Sequence, residues 1–406
     1  EGLPVPLVIG YPGDLGDGTS IAVVPIILTD WTTSGSPPTD LPFCRCSVSI
    51  GRIDASTVYV KENDKFPGGP SYTASISHAT QVTVSGTEET TYDVSYIDFT
   101  GTDSAGNPAD SIVPGIAADS KAAYYAGFKP TTGGGISNPY APGALSGAGD
   151  VIIWALRRSG GDLAVDFDEL EKLRPVLNDY RIDTFINDGE ITAMEWLRSA
   201  VLPILPVVET ATTNGWCVAF VDWCANEANA LGTLTADRDI FRASGARVLN
   251  GSDLTSYVTV TFRARETSHH AYVDQTILNP DLYIERNRAV LIGQPNAYYP
   301  DRIAKVSEAR HGLRKTEIKL DQTWDDATVL RIARDALKAN GLATIGVTYQ
   351  AATDTLERAR VGDVWLLTDA GMGWTERIAI VTEISVGGNE PPALTFALPD
   401  PLLKRA

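Results

Sequence analysis

The sequence predicts an α+β fold that is mostly β. Three observations predict it. Most apolar runs are short and alternate with polar residues, the period of a half-buried strand. Thirty-six glycines and 24 prolines cut the chain into short pieces with turns between them. One block, residues 149–208, departs from this pattern and carries its apolar residues at helical spacing.

Taken in order, residues 1–60 set Pro4, Pro6, Pro12, Pro25, Pro37, Pro38 and Pro42 between apolar runs. Leu7-Val8-Ile9, residues 21–28 and residues 46–50 read as strands of a loop-rich β layer. Residues 57–60, 81–84 and 92–99 follow with period-2 alternation, and residues 100–109 read as a turn. Residues 127–149 are rich in glycine and proline, which predicts a long loop or linker.

Within the helical block, Ile152, Ile153 and Leu156 predict a first short helix. Asp166 precedes a second, marked by Leu170, Leu173 and Leu177 and shortened or kinked at Pro175. Residues 181–186 are short and mixed, and Asn187-Asp188-Gly189 is a turn. Residues 190–205 give a third helix, with Ile191, Met194, Trp196, Leu197, Val201, Leu202 and Leu205 on a broad apolar face, interrupted or ended at Pro203.

After the block, residues 216–221, 253–265, 289–293 and 315–320 read as strands; Val258, Val260 and Phe262 share one face. Residues 326–340 are a helix with Val329, Leu330, Ile332, Ala333 and Leu337 inward, stopped at Asn340-Gly341. Residues 344–349, 361–368, 378–386 and 393–398 complete the β set. This divides the chain into a β-rich domain over 1–148, a small helical domain over 149–208 and a second β-rich domain over 209–406 with one packed helix.

Composition limits the function classes. Length 406 allows about two to four domains, and 43% apolar with 21% charged residues is ordinary globular material. No apolar run approaches the roughly 18 residues of a membrane span, and no basic segment leads into an apolar one at the start. The net charge of −18 argues against a nucleic-acid grip, which needs clustered Lys and Arg. Four cysteines make no disulfide scaffold.

Four features together resemble the hub, or tail-tip, proteins of long-tailed bacteriophages and gene transfer agents. Leu3-Pro4-Val5-Pro6-Leu7-Val8-Ile9-Gly10 resembles their proline-rich opening strand. The 149–208 block resembles their small helical domain, where a D-[IV]-I helix precedes one carrying E-W-L. Residues 325–337 resemble their late helix, which packs on a barrel. Arg360-Val361-Gly362-Asp363-Val364-Trp365 resembles their x-P-G-D-V turn and strand, with Val361 in place of the usual proline. The order of these features, over nearly the whole chain, carries more weight than any one of them.

The resemblance implies barrel-like β domains forming a ring with a small helical insert domain. It implies a homotrimer that joins the tail tube to the receptor-binding tip and lines the genome exit channel, baseplate fashion. Partners would be distal tail, tube, tape-measure and tip-fibre or receptor-binding proteins. DNA would pass without being bound. The protein would reside in the virion tail after assembly in the host cytoplasm. A further β module would precede the Pro-rich strand, so Glu1 would lie inside a longer polypeptide.

Cys44, Cys46, Cys217 and Cys224 are the candidate metal ligands. Positions i and i+2 of a strand share a face, so Cys44 and Cys46 can reach one site; four thiolates suit zinc or an iron–sulfur cluster. Some hub proteins of this kind hold an iron–sulfur cluster. The spacing matches no standard pair, and four buried thiols acting as small apolar residues, or a disulfide, stand as alternatives.

Other constellations read as structural. His269 and His270 are adjacent, so on a strand they face opposite ways. Asp162, Asp166, Asp168, Glu169 and Glu171 gather at a helix start, where acidic side chains complement the dipole. Gly133-Gly134-Gly135 lacks the Lys-Ser/Thr of a phosphate loop. Trp216 and Trp223 read as core or interface aromatics. No catalytic residue is assigned, and a structural hub without enzymatic activity is the expectation. The alternative is a virion-borne or secreted cell-wall hydrolase, for which no Ser-His-Asp, H-E-x-x-H or carboxylate-pair anchor is present. A surface adhesin would show repeated sandwich domains, and the sequence has none.

Overall fold

A computed structural model describes residues 7–9, 22–25, 27–32, 43–50, 59–62, 73–85, 88–100, 124–128, 139–158, 164–186, 191–262, 264–266, 271–273, 299–320, 322–323, 325–386 and 391–401. The architecture is mixed α and β with strands outnumbering helices, as the sequence predicts. Residues 101–109 of the expected turn, the 187–189 turn, the 289–293 strand and residues 129–138 of the expected loop lie outside the described residues.

The first part is a set of antiparallel layers. Strands β2 (Ala22–Pro25), β8 (Tyr124–Phe128) and β5 (Tyr59–Glu62) form one sheet in the order β2-β8-β5. Strands β3 (Ile27–Thr32), β4 (Phe43–Ile50), β6 (Thr73–Ser85) and β7 (Glu88–Thr100) form another in the order β3-β4-β7-β6. The β6–β7 hairpin pairs continuously from Thr73↔Thr100 to Ser85↔Glu88, far beyond the short alternating runs that signalled it.

The opening strand β1 (Leu7–Ile9) joins neither sheet. It pairs antiparallel with β9 (Thr184–Ile186), inside the helical block. Leu7 lies opposite Ile186, and Ile9 is fully buried in the core of that block.

The helices of the block form where the apolar spacing placed them. Helix α1 spans Ala148–Arg158 and buries Val151, Ile152, Ile153 and Leu156, with Asp150 at the positive end of its dipole and Arg157 and Arg158 at the negative end. Helix α2 spans Phe167–Leu177, and the Asp166 carboxylate caps it by accepting from the Glu169 N–H at 3.1 Å. Pro175 sits in its last turn, and the helix ends two residues later.

The third helical segment, α3, is composite. Ala193–Trp196 is α-helical and opens with a capping box between Thr192 and Glu195. Leu197–Val201 widens to a π-turn, and Leu202–Ile204 tightens to 3₁₀ around Pro203. A proline lacks the N–H that a continuing α-helix needs, so the pitch changes ahead of it. Trp196, Leu197, Val201, Leu202 and Leu205 are all buried.

Strands β10 (Val207–Thr212) and β11 (Gly215–Phe220) form a hairpin against this block. Strand β15 (Tyr257–Phe262) pairs in parallel with β18 (Lys315–Leu320), and the crossover contains helix α4 (Tyr299–His311). Strands β16 (Ala264–Glu266) and β17 (Ala271–Val273) pair with each other. Helix α5 (Asp326–Asn340) occupies the predicted range, capped by Asp325 and closed at Gly341. One hydrophobic core takes in α1, α2, α3, β11, Val258 and Val260 of β15, and Val329, Ile332, Ala333 and Leu337 of α5.

The last part is a nearly closed, barrel-like sheet in the order β12-β20-β21-β22-β19-β13. Its strands are β12 (Thr233–Thr235), β13 (Ile240–Arg242), β19 (Ile345–Ala351), β20 (Val364–Asp369), β21 (Trp374–Ser385) and β22 (Ala393–Leu398). A bridge from Ala236 to Ile240 draws the two ends together, and β14 (Arg247–Val248) adds to β19. Helix α6 (Thr353–Arg358) follows β19.

Alternate residues fill the barrel. Phe396 lies opposite Val347 on one side and Val381 on the other, and all three are buried. Trp365, Leu367, Ala379, Tyr349, Leu394 and Leu398 join them, and the Tyr349 and Phe396 rings meet edge-on at 6.1 Å. The interior is packed side chain, as in small barrels generally.

Candidate functional site

Two joints tie the helical block to its neighbours, and a third ties the barrel to the β10–β11 hairpin. The first is the β1–β9 pair. The second runs along α5. The Tyr180 hydroxyl, on a residue 3% exposed, donates to the Asp335 carboxylate, and the Arg331 guanidinium lies 5.5 Å from the Tyr180 ring centroid. Arg331 also donates to Asp179 at 3.0 Å, and the Arg181 N–H donates to Thr328 Oγ1 at 2.9 Å. Burial, then the Asp335 charge, pushes the Tyr180 hydroxyl well above the ordinary phenol range.

The third joint is the Arg360–Asp363 turn of the G-D-V motif. Gly362 has φ +91°, and a Cβ there would stand 2.7 Å from the Phe220 carbonyl oxygen. The Gly362 N–H donates to the Val381 carbonyl and the Val381 N–H to the Asp363 carbonyl. Asp363 Oδ2 accepts from the Arg360 N–H at 2.7 Å. The turn therefore lays the barrel against the β10–β11 hairpin, and only glycine gives both the φ and the close approach.

A fourth constellation locks the barrel itself. Asp369, 2% exposed, accepts from Arg242 Nε at 3.0 Å and Nη2 at 2.5 Å, from the Tyr349 hydroxyl at 2.7 Å and from the Met372 N–H at 3.1 Å. Burial alone would raise the Asp369 carboxyl; the donated hydrogen bonds and the Arg242 charge outweigh it and hold it below its ordinary value.

Cys44 and Cys46 lie on β4, opposite Phe99 and Ile97 of β7. Cys217 lies in mid-β11, paired with Thr210, and Cys224 lies in the loop beyond that strand. Cys217 and Cys224 are both buried, and neither forms a disulfide. Burial, with Asp166 and Glu169 nearby, pushes the Cys217 thiol up to about 11, which suits a neutral apolar group and opposes a free thiolate. Among the described residues no group of three or more His, Cys, Asp and Glu stands ready for a metal ion. The side chains of Cys44 and Cys46, like His269 and His270, the triple glycine and Asp162, lie outside the described residues.

The acidic run is engaged structurally. Asp166 caps α2 and accepts from the Thr212 hydroxyl, and the hydrogen bonds from Thr212, Glu169 and Asn214 lower its carboxyl. Glu169 pairs with Lys172 at 2.6 Å, and Glu171 with Arg157 at 3.1 Å and Arg174 at 3.2 Å. Trp216 is buried and donates from Nε1 to Glu209 at 2.9 Å. Sequence reasoning missed the Tyr180–Asp335 and Arg242–Asp369 partners, which are 155 and 127 residues apart. No local signal carries such pairings; the G-D-V turn, whose half-buried Gly362 takes a positive φ, was legible only as a motif.

No protein-family model matches the chain, and no curated protein matches it. Among solved structures it is similar to a chain of the virion of a native gene transfer agent particle, at 10% identity and TM-score 0.46, covering 99% of this chain and 86% of that one. It is similar to a tail protein from Neisseria meningitidis MC58, at 11% identity and TM-score 0.30, covering 98% and 97%. It is also similar to a tail protein of prophage MuSo2 from Shewanella oneidensis, at 10% identity and TM-score 0.34, covering 100% and 96%.

Proposed function

We propose that this chain is a structural hub of a bacteriophage-type tail tip or baseplate, resident in the virion tail and assembled in the host cytoplasm. The observation that carries the reading is the β1–β9 pair. It sews the Pro-rich opening strand into the helical block, so the motifs that suggested a hub belong to connected structure in the order expected. The late helix and the G-D-V turn, the other two motifs, each pack at a joint of that block or of the barrel.

In this reading the chain joins the tail tube to the receptor-binding tip. Its partners are distal tail, tube, tape-measure and tip-fibre proteins. The barrel interior is filled, so a channel for the genome would lie between copies, as in a homotrimeric ring. The charge of −18 suits such a lining, because DNA carries one charge per about 1.7 Å and a basic wall would hold it. The role is structural and not catalytic; the capping and pairing of the acidic run support this. An iron–sulfur or zinc site on Cys44, Cys46, Cys217 and Cys224 is the finer part of the proposal.

The experiment is gold labelling of particles with an antibody against this chain, viewed by electron microscopy. Label confined to the distal end of the tail supports the hub. Label on the capsid, or peptidoglycan turnover that persists through repurification, replaces it with another virion role or with the hydrolase.

A further inference from the structure

The sequence holds three Asn-Gly pairs, Asn214-Gly215, Asn250-Gly251 and Asn340-Gly341, and all three lie among the described residues. An asparagine followed by glycine is open to attack on its side-chain amide by the next backbone nitrogen, because glycine has no side chain in the way. The fold treats the three pairs differently. Asn250 is buried and its amide is held on three sides: Nδ2 donates to the Ala339 and Leu342 carbonyls at 2.9 Å each, and Oδ1 accepts from the Thr344 N–H at 3.0 Å. Asn340 ends α5, and the nitrogen that would attack it, that of Gly341, donates to the Leu337 carbonyl at 2.7 Å. Gly341 is itself buried against Ile303.

Asn214 is exposed, at the two-residue turn of the β10–β11 hairpin. Among the described residues its Nδ2 meets one partner, Asp166 Oδ2, at 3.4 Å, beyond the usual length of such a bond. Gly215 pairs with Thr212 at the closing end of the ladder, where fraying costs least. The glycine is also obligatory: its φ is +133°, and a Cβ there would stand 2.3 Å from the Ala164 carbonyl oxygen. The hairpin thus requires, directly after an exposed asparagine, the residue type that shields it least.

We propose that Asn214 is a site of spontaneous modification, at which the side-chain amide converts to aspartate and isoaspartate. The Gly215 nitrogen bonds to Asn214 Cγ and gives up its proton; the Cγ–Nδ2 bond breaks, and ammonia leaves. The cyclic imide so formed takes up one water. Opening at Cγ gives aspartate. Opening at the main-chain carbonyl carbon gives isoaspartate, whose backbone runs through Cβ and Cγ and is one methylene longer. Water is the only co-reactant, and nothing is oxidised or reduced. Either product places a carboxylate where an amide N–H now faces Asp166, the cap of α2. Isoaspartate also lengthens the turn beside the Ala164 contact, at the seam where the Asp166 N–H donates to the Trp216 carbonyl at 2.9 Å. This chemistry is independent of the tail reading.

The test incubates the full folded chain in warm, mildly alkaline buffer and samples it over time by tryptic digestion and mass spectrometry. The three pairs fall in separate peptides, residues 199–238, 248–263 and 339–358. The amide-to-acid mass change is expected at Asn214 at least about tenfold faster than at Asn250 or Asn340, since those two react only through local opening. Fragmentation of the first peptide separates Asn214 from Asn226 and Asn229, and it is expected to show isoaspartate at residue 214, as the imide requires. A parallel incubation in urea removes the fold, and there the three rates should converge. Conversion of Asn214 no faster than that of the other two, a product that is aspartate alone, or a ranking that persists in urea overturns the proposal. Every arm uses the wild-type chain, so no variant has to fold.

Discussion

Gly362 and the Phe220 carbonyl oxygen meet so closely that a single Cβ at residue 362 would intrude to 2.7 Å. The contact joins the barrel to the β10–β11 hairpin, and φ +91° at Gly362 forms the turn that permits it. Gly362→Ala is expected to lower stability by about 1–3 kcal/mol, from strained φ and displaced backbone together. Chemical denaturation measures it. The control is Gly373→Ala, where φ is +69° but no atom lies within 4 Å of the new Cβ; its loss should be smaller.

Two buried tyrosines bear on the alkaline limit. Tyr180, beside Asp335, and Tyr349, beside Asp369, both have hydroxyls raised above the ordinary value near 10, by burial first. A raised folded pKa means the stabilisation is complete below the unfolded value of about 10 and is lost as pH climbs through the folded one. Stability should therefore be flat to about pH 10 and then fall. Tyr180→Phe should cost about 1–2 kcal/mol at neutral pH and make the alkaline decline shallower. A pH series of denaturation midpoints reads both effects.

Asp369 governs the acid side by the opposite sign. Its folded carboxyl is depressed, so its contribution is present above about pH 4 and disappears as pH falls. Asp369→Asn should cost about 3 kcal/mol, the low end for breaking a buried pair, because Arg242 remains partly in water. Thermal melts at pH 7 and pH 3 should differ less in the variant than in the wild-type chain.

The cysteines are tested by metal analysis of anaerobically purified protein with a visible absorption scan. A cluster on Cys44, Cys46, Cys217 and Cys224 predicts iron or zinc at a fixed ratio to chain, lost in Cys217→Ser. It also requires the Cys217 thiol to lose the proton that burial now holds on it.

The fold was legible where local signals agreed. In α5 the apolar period and the Asn340-Gly341 stop coincided, and the range 326–340 was read without error. Strand β22 was likewise bounded by Pro392 and Pro399. The strands β12, β13 and β14 are two or three residues long, and β14 is exposed, so no apolar period marks them. Helix α4 is weakly amphipathic and was missed, whereas the interruption of α3 at Pro203 was legible from the proline itself. The joints were illegible for a different reason. Tyr180–Asp335 and Leu7↔Ile186 join distant residues, and one chain without its contacts holds no record of that pairing.

The most direct measurement of the central claim is an image reconstruction of the particle that carries this chain. The account predicts a closed ring of three copies at the distal end of the tail tube, with an open channel between the filled barrels and none through them. Density for the chain in the capsid, or a single copy away from the tube axis, would contradict it.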